Sequence, residues 1–190
     1  AHGTLYNCTL SGNSASFYGG GSYTSTLFNC TLSGNSALYG GGSSEDKLND
    51  CILSGNSADF AGGSYDSTLN NCILSGNSAT NTGGGTYLGT LNNCTLSGNS
   101  AGTAGGALGG FLNNCIVYFN TAPISPNYLA GSFRYSCTTP MPGGLGNNIT
   151  NDPLFVATND FHLQAGSPCI DAGENTNAPG ATDLDGNPRI

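Results

Sequence analysis

Cysteine is the first residue type in this chain whose chemistry has to be placed. Six of the eight cysteines, Cys8, Cys30, Cys51, Cys72, Cys94 and Cys115, step by 22, 21, 21, 22 and 21 residues. Thiols at such a spacing can bind a metal, cross-link or fill a core. The sequence holds no Cys-x-x-Cys, the local pairing that zinc and haem sites use. Cross-linking is disfavoured if the six stack in register, because parallel strands about 4.8 Å apart keep Cβ atoms beyond the roughly 3.8 Å of real disulfides. The six therefore read as an inward ladder of free thiols acting as small apolar fillers. Cys137, which still falls 22 residues after Cys115, and Cys169 lie outside the regular coils and are candidates for a disulfide with each other.

Proton-transfer chemistry is thinly supplied. A polysaccharide lyase needs a basic residue beside calcium-binding carboxylates, and a glycoside hydrolase needs clustered acids. Up to residue 122 the acids are Glu45, Asp46, Asp50, Asp59 and Asp66, and Lys47 is the one basic side chain besides His2. Glu45 and Asp46 lie one period from Asp66, which reads as a local acidic patch. Neither His2 nor His162 has a nucleophile in its sequence context. Asp183, Asp185 and Asn187 alternate as oxygen ligands do at the start of a calcium loop, but the bidentate Glu is missing and Gly186 falls one place after the second Asp. A capping turn is the competing reading, and no other cofactor is expected.

The elements that position these residues follow from one block. Asn7-Cys8-Thr9-Leu10-Ser11-Gly12-Asn13-Ser14-Ala15 returns as Asn29 to Ala37, Asp50 to Ala58, Asn71 to Ala79 and Asn93 to Ala101, with a degenerate copy from Asn114 to Ala122. So constant a period is the mark of a solenoid, in which each repeat buries its apolar face only by stacking on its neighbours. Cys8 and Leu10 alternate with Asn7, Thr9 and Ser11, which predicts a strand with an apolar inner face and a polar outer one. Gly12-Asn13 and Gly19-Gly20-Gly21 are corner signals. Length varies only in the bridge before the Gly-Gly cluster, so insertions are confined to one corner.

Three further columns follow. Asn13, Asn35, Asn56, Asn77, Asn99 and Asn120 can hydrogen-bond along the stack if they point inward. The outer Thr9, Thr31 and Thr95 column is interrupted by Ile52, Ile73 and Ile116, which weakens an ice-binding reading and suits packing against a partner rod. Tyr23, Tyr65 and Tyr87 recur at one position, broken by Ser44 and Leu108, and could meet a glycan or another subunit. Asn7, Asn29, Asn93 and Asn148 stand in Asn-x-Thr sequons that the repeat itself generates.

Only 7% of the 190 residues are charged, against roughly 25% in ordinary soluble domains. The net charge of -8 leaves no basic patch for nucleic acid. No apolar run is long enough to insert in a membrane, and no signal-peptide pattern is present; the chain reads as a processed piece of a secreted protein. Three regions are expected: regular repeats over 1–122, an irregular seventh coil and connection over 123–146 with Cys137 as its rung, and a capping segment over 147–190.

The block with its Gly-Gly-Gly clusters resembles coils of the right-handed parallel β-helix superfamily, which includes pectate-lyase-like proteins and polymorphic outer-membrane-protein repeats. The tail, with Asp152-Pro153-Leu154-Phe155, Ser167-Pro168-Cys169-Ile170-Asp171-Ala172-Gly173 and Asp183-Leu184-Asp185-Gly186-Asn187-Pro188-Arg189, resembles bacterial surface proteins called choice-of-anchor Q domain proteins. The resemblance implies an all-β, right-handed parallel β-helix of six to seven coils of 21 or 22 residues with a divergent C-terminal cap. It also implies a secreted or cell-surface protein, structural or adhesive, that associates with itself through solenoid ends or flat faces. Polysaccharide binding or degradation is the alternative.

Overall fold

The computed structural model describes residues 3–144, 146–177 and 182–185. A single coil shows how the chain is built. Thr26–Phe28, Thr31–Ser33, Ser36–Tyr39 and Ser43–Ser44 are four short strands on four sides, and the next coil repeats them as Lys47–Asn49, Ile52–Ser54, Ser57–Phe60 and Ser64–Tyr65. Equivalent strands pair in parallel and in register, Leu27 with Leu48, Leu32 with Leu53 and Ser43 with Ser64. The result is a parallel β-solenoid with seven strands in the first sheet, seven in the second, four in the third and six in the fourth.

Each side ends at a residue with positive φ. Between the first and second sheets it is Asn7, Asn29, Asp50, Asn71, Asn93 or Asn114; between the second and third it is Gly12, Gly34, Gly55, Gly76 or Gly98; between the third and fourth, Gly19, Gly40, Ala61, Gly83 or Ala104. Gly and Asn tolerate this conformation, which explains the punctuation of the repeat. The fourth corner is turned by Thr24, Glu45, Asp66 and Leu88. No glycine stands there in the coils of Thr24, Glu45 and Asp66, while Gly89 follows Leu88; each non-glycine residue costs about 1–2 kcal/mol in the left-handed region. The stacked neighbours hold it there.

The residue after each corner points inward. Leu27, Leu32, Leu48, Leu53, Leu69, Leu74, Leu91, Leu96 and Leu112 are fully buried, with Cys30, Cys51, Cys72, Cys94 and Cys115 between them. The extra residue of the coil from Cys72 to Cys94 is a bulge in Ser78–Thr82 of the third sheet, where the register shifts on both sides. The other three sides stay in step.

The seventh coil departs from its predicted rung. Ser136, not Cys137, takes the cysteine seat above Cys115, and its hydroxyl accepts the Cys115 backbone N–H at 3.0 Å. Cys137 pairs with Ile116 in the second sheet, on the outward column of Thr9, Thr31 and Ile52. One residue of displacement moves a side chain from the inner face to the outer one. A further partial rung follows, with Ile149 bridged to Cys137 and Asn148 Oδ1 accepting the Ser136 N–H at 3.0 Å.

The C-terminal segment leaves the coil geometry. Phe155–Ala157 and Asp160–Leu163 form an antiparallel hairpin, and Asn114 exchanges two hydrogen bonds with the Glu174 backbone at 2.8 and 2.9 Å.

Candidate functional site

The inward asparagines make the most completely bonded array. The Asn56 amide donates to Leu32 O at 2.9 Å and to Asn77 Oδ1 at 2.9 Å. Its own Oδ1 accepts the Asn35 backbone N–H at 2.9 Å and the Asn35 amide at 3.0 Å. Asn35, Asn77 and Asn99 repeat the pattern, so an interior that excludes water leaves no polar atom of these side chains unpaired. Asn13 is exposed at the first described coil. At the other end Asn120 donates to Asn127 Oδ1, and Asn127 to Thr139 O, which closes the ladder.

The cysteine column lies one corner away. Cys51, Cys72 and Cys115 each donate to the carbonyl two residues earlier, at 3.2 Å in all three. Burial pushes the Cys72 and Cys115 thiols well above the ordinary range, which keeps them protonated. Such thiols are packing groups rather than nucleophiles.

The acidic patch is divided by the fourth corner. Glu45 and Asp66 turn the chain and are exposed, whereas Asp46 points inward and is 3% exposed. Asp46 Oδ1 accepts the Ser25 N–H at 2.6 Å, and Oδ2 has no hydrogen-bond partner. Burial pushes the Asp46 carboxyl up to about 6. In the flanking coils Ser25 and Ser67 hold the same seat, and the Ser67 hydroxyl accepts the Asp46 N–H at 3.1 Å.

Two outer ladders were missed from the sequence. Asn49, Asn70, Asn92 and Asn113 are joined amide to amide at 3.0 Å along the first sheet. Asn7 and Asn29 are joined at 2.8 Å, and Asn93 and Asn114 at 3.1 Å, along the first corner. The recurring Asn-Asn dipeptides at 70, 92 and 113 were the available signal. Three of the four sequon asparagines, Asn7, Asn29 and Asn93, thus belong to a corner ladder.

No family model, curated protein or solved structure matches the chain. The functional reading therefore rests on its own surfaces, of which two stand out. The first is an aromatic corner where the third and fourth sheets meet. Tyr18, Tyr39 and Phe60 form one stacked column, with centroids 5.3 and 5.0 Å apart. Tyr23, Tyr65 and Tyr87 lie in the neighbouring column, aligned through Ser44. The ring absent at Ser44 is made good by Tyr39, 5.3 Å from Tyr65, and Ser44 is fully buried beneath. Tyr18 reaches Tyr23 at 5.6 Å. The three sequence-predicted tyrosines are thus part of a larger array, which Phe17, 64% exposed, extends toward solvent.

The second is the outer face of the second sheet. Phe161, His162, Leu163, Asp183, Leu184 and Asp185 border a groove of about 430 Å³ over Asn71, Ile73, Asn93, Thr95, Asn114 and Ile116. That part of the Thr and Ile column is therefore overhung by the C-terminal segment, while Thr9 and Ile52 stay exposed. His162 Nδ1 meets Asp160, and Nε2 lies 2.8 Å from Asp185 Oδ2. These carboxylates push the His162 imidazole up, and the hydrogen bonds from His162 hold Asp160 down. Asp183 Oδ1 accepts the Asp185 N–H at 3.0 Å, so two of the three residues proposed for calcium are engaged within the protein. Asn187 lies outside the described residues. Among the described residues no three His, Cys, Asp or Glu side chains converge as a metal set.

Proposed function

We propose that the chain is a structural β-solenoid of a bacterial cell surface or matrix, a shaft that associates with copies of itself. One observation carries this reading: the positions that recur in sequence, Leu, Cys and Asn, are those that bond coil to coil. A placement outside the cell is supported by the resemblance of the tail to surface proteins and by the low charge. Association is supported by large apolar side chains left exposed on the outer faces, Tyr6, Ile52 and Phe111 among them. Sedimentation over a wide concentration range, with electron microscopy, tests this. Association that grows with concentration is expected; strict monomers at every concentration overturn it, and polysaccharide turnover abolished by Asp46→Asn or Asp66→Asn overturns a purely structural role.

The aromatic corner favours a second reading, retention of a neutral or acidic polysaccharide on stacked tyrosines. Retardation on immobilised glycans that Tyr65→Ala abolishes supports it; equal retardation of Tyr65→Ala and the parent chain removes it.

A further inference from the structure

The displacement that moves Cys137 out of the core places it against the C-terminal segment. It is 3% exposed, and its thiol donates to Asn151 O at 3.1 Å. Cys169 arrives from the opposite side on a turn. The Ser167 hydroxyl accepts the Cys169 N–H at 3.1 Å and donates to Pro153 O at 2.6 Å, which fixes that turn beside the sheet. Cys137 and Cys169 line one crevice of about 170 Å³ together with Ile116, Ile149 and Ala172. The core cysteines also neighbour one another, but their side chains leave equivalent strands in the same direction at the coil repeat, which holds Cβ atoms apart. Cys137 and Cys169 come from unlike elements that face each other, and no such constraint applies.

We propose that Cys137 and Cys169 are a modification site, a dithiol that a small-molecule disulfide oxidises to a bond clamping the C-terminal segment onto the solenoid. The neighbouring thiol pulls the half-buried Cys169 thiol down and pushes Cys137 up, so Cys169 is the thiolate that attacks first. The Cys169 sulfur displaces one half of the small disulfide, which leaves as a thiol and takes up the proton Cys169 gave. Cys137 then loses its proton and attacks the Cys169 sulfur, and the second half leaves as a thiol. One external disulfide is reduced to two thiols, and two protein thiols become one disulfide. Cys30, Cys51, Cys72, Cys94 and Cys115 take no part, being buried in the core.

The full chain, purified under reducing conditions and then exposed to oxidised glutathione, tests this. Intact mass should fall by two hydrogens. Cleavage before Asp152 and Asp160 separates the two cysteines, so a linked pair of peptides identifies the bond. The five buried core thiols should alkylate only after denaturation, and proteolysis within 152–177 should slow about tenfold or more on oxidation, as loop closure removes open states. Cys169→Ser should keep the solenoid's β spectrum and lose both the linked pair and the slowing. Glutathione retained on Cys169 beside a free Cys137, a bond involving any core cysteine, or an unreacted pair would each overturn the proposal.

Discussion

Asn77 uses its whole side chain inside the stack: its Oδ1 accepts two N–H groups of Asn56, and its amide serves Leu53 O and Asn99 Oδ1. Asn77→Leu leaves the donors of Asn56 without an acceptor in a site closed to water, so it should destabilise by about 3 kcal/mol or more, measured by denaturant unfolding. Asn13→Leu at the exposed first coil should cost far less, because only the side-chain donation to Asn35 is lost and the backbone N–H keeps its own. Asp46 tests the opposite sign. Its folded pKa is raised from 3.8 to about 6, so its favourable contribution is complete below 3.8 and is lost as pH rises through about 6. Asp46→Asn keeps the acceptor for Ser25 and removes the buried charge. It should therefore raise the melting temperature at pH 7–8, by an amount equivalent to about 3 kcal/mol, and change little near pH 3. The inward Asn and Leu columns were legible in the sequence because they recur. The inward seat of Asp46 was not, since Ser, Asp and Gly all occupy it in successive coils and the corner beside it carries no glycine signal.

The corners set what an element tolerates. A Cβ on Gly62 would lie 2.3 Å from the Ser78 carbonyl oxygen of the next coil, a backbone atom that can move only if the coil opens. Gly55, unlike Gly62, has positive φ, yet its Cβ would meet nothing within 4 Å. Gly62→Ala should therefore abolish cooperative unfolding or lower the midpoint severely. Gly55→Ala should cost only the roughly 1 kcal/mol of a left-handed alanine. Parallel denaturation curves of the two variants check this contrast. The pattern of strands and the confinement of insertions to one side were legible, because alternation and Gly-Gly clusters report them directly. The rung at Ser136 was not: cysteine spacing pointed to Cys137, and a slip of one residue is invisible until the neighbouring strand supplies the register. The C-terminal hairpin, the contact of Glu174 with Asn114 and that of Asp185 with His162 were likewise hidden, as they join residues without a shared period.

The molecule as a whole has unlike ends. The inward asparagine and cysteine columns finish on polar caps at Asn127, Ser136 and Asn148, whereas the first described coil presents Leu5, Cys8 and Leu10 only partly covered. Each coil is stable through its neighbours, so protection should follow position along the stack. A ladder-held shaft with a separately docked C-terminal segment predicts a particular profile of amide hydrogen exchange on the full chain. Protection should be highest and uniform from Leu48 to Val117, lower in 3–25, and independently lost in 151–177. The side-chain amides of Asn56, Asn77 and Asn99 should exchange as slowly as the backbone around them. Fast exchange of those amides, or coils near Leu69 and Leu91 no better protected than the first, would contradict a structure held by its ladders.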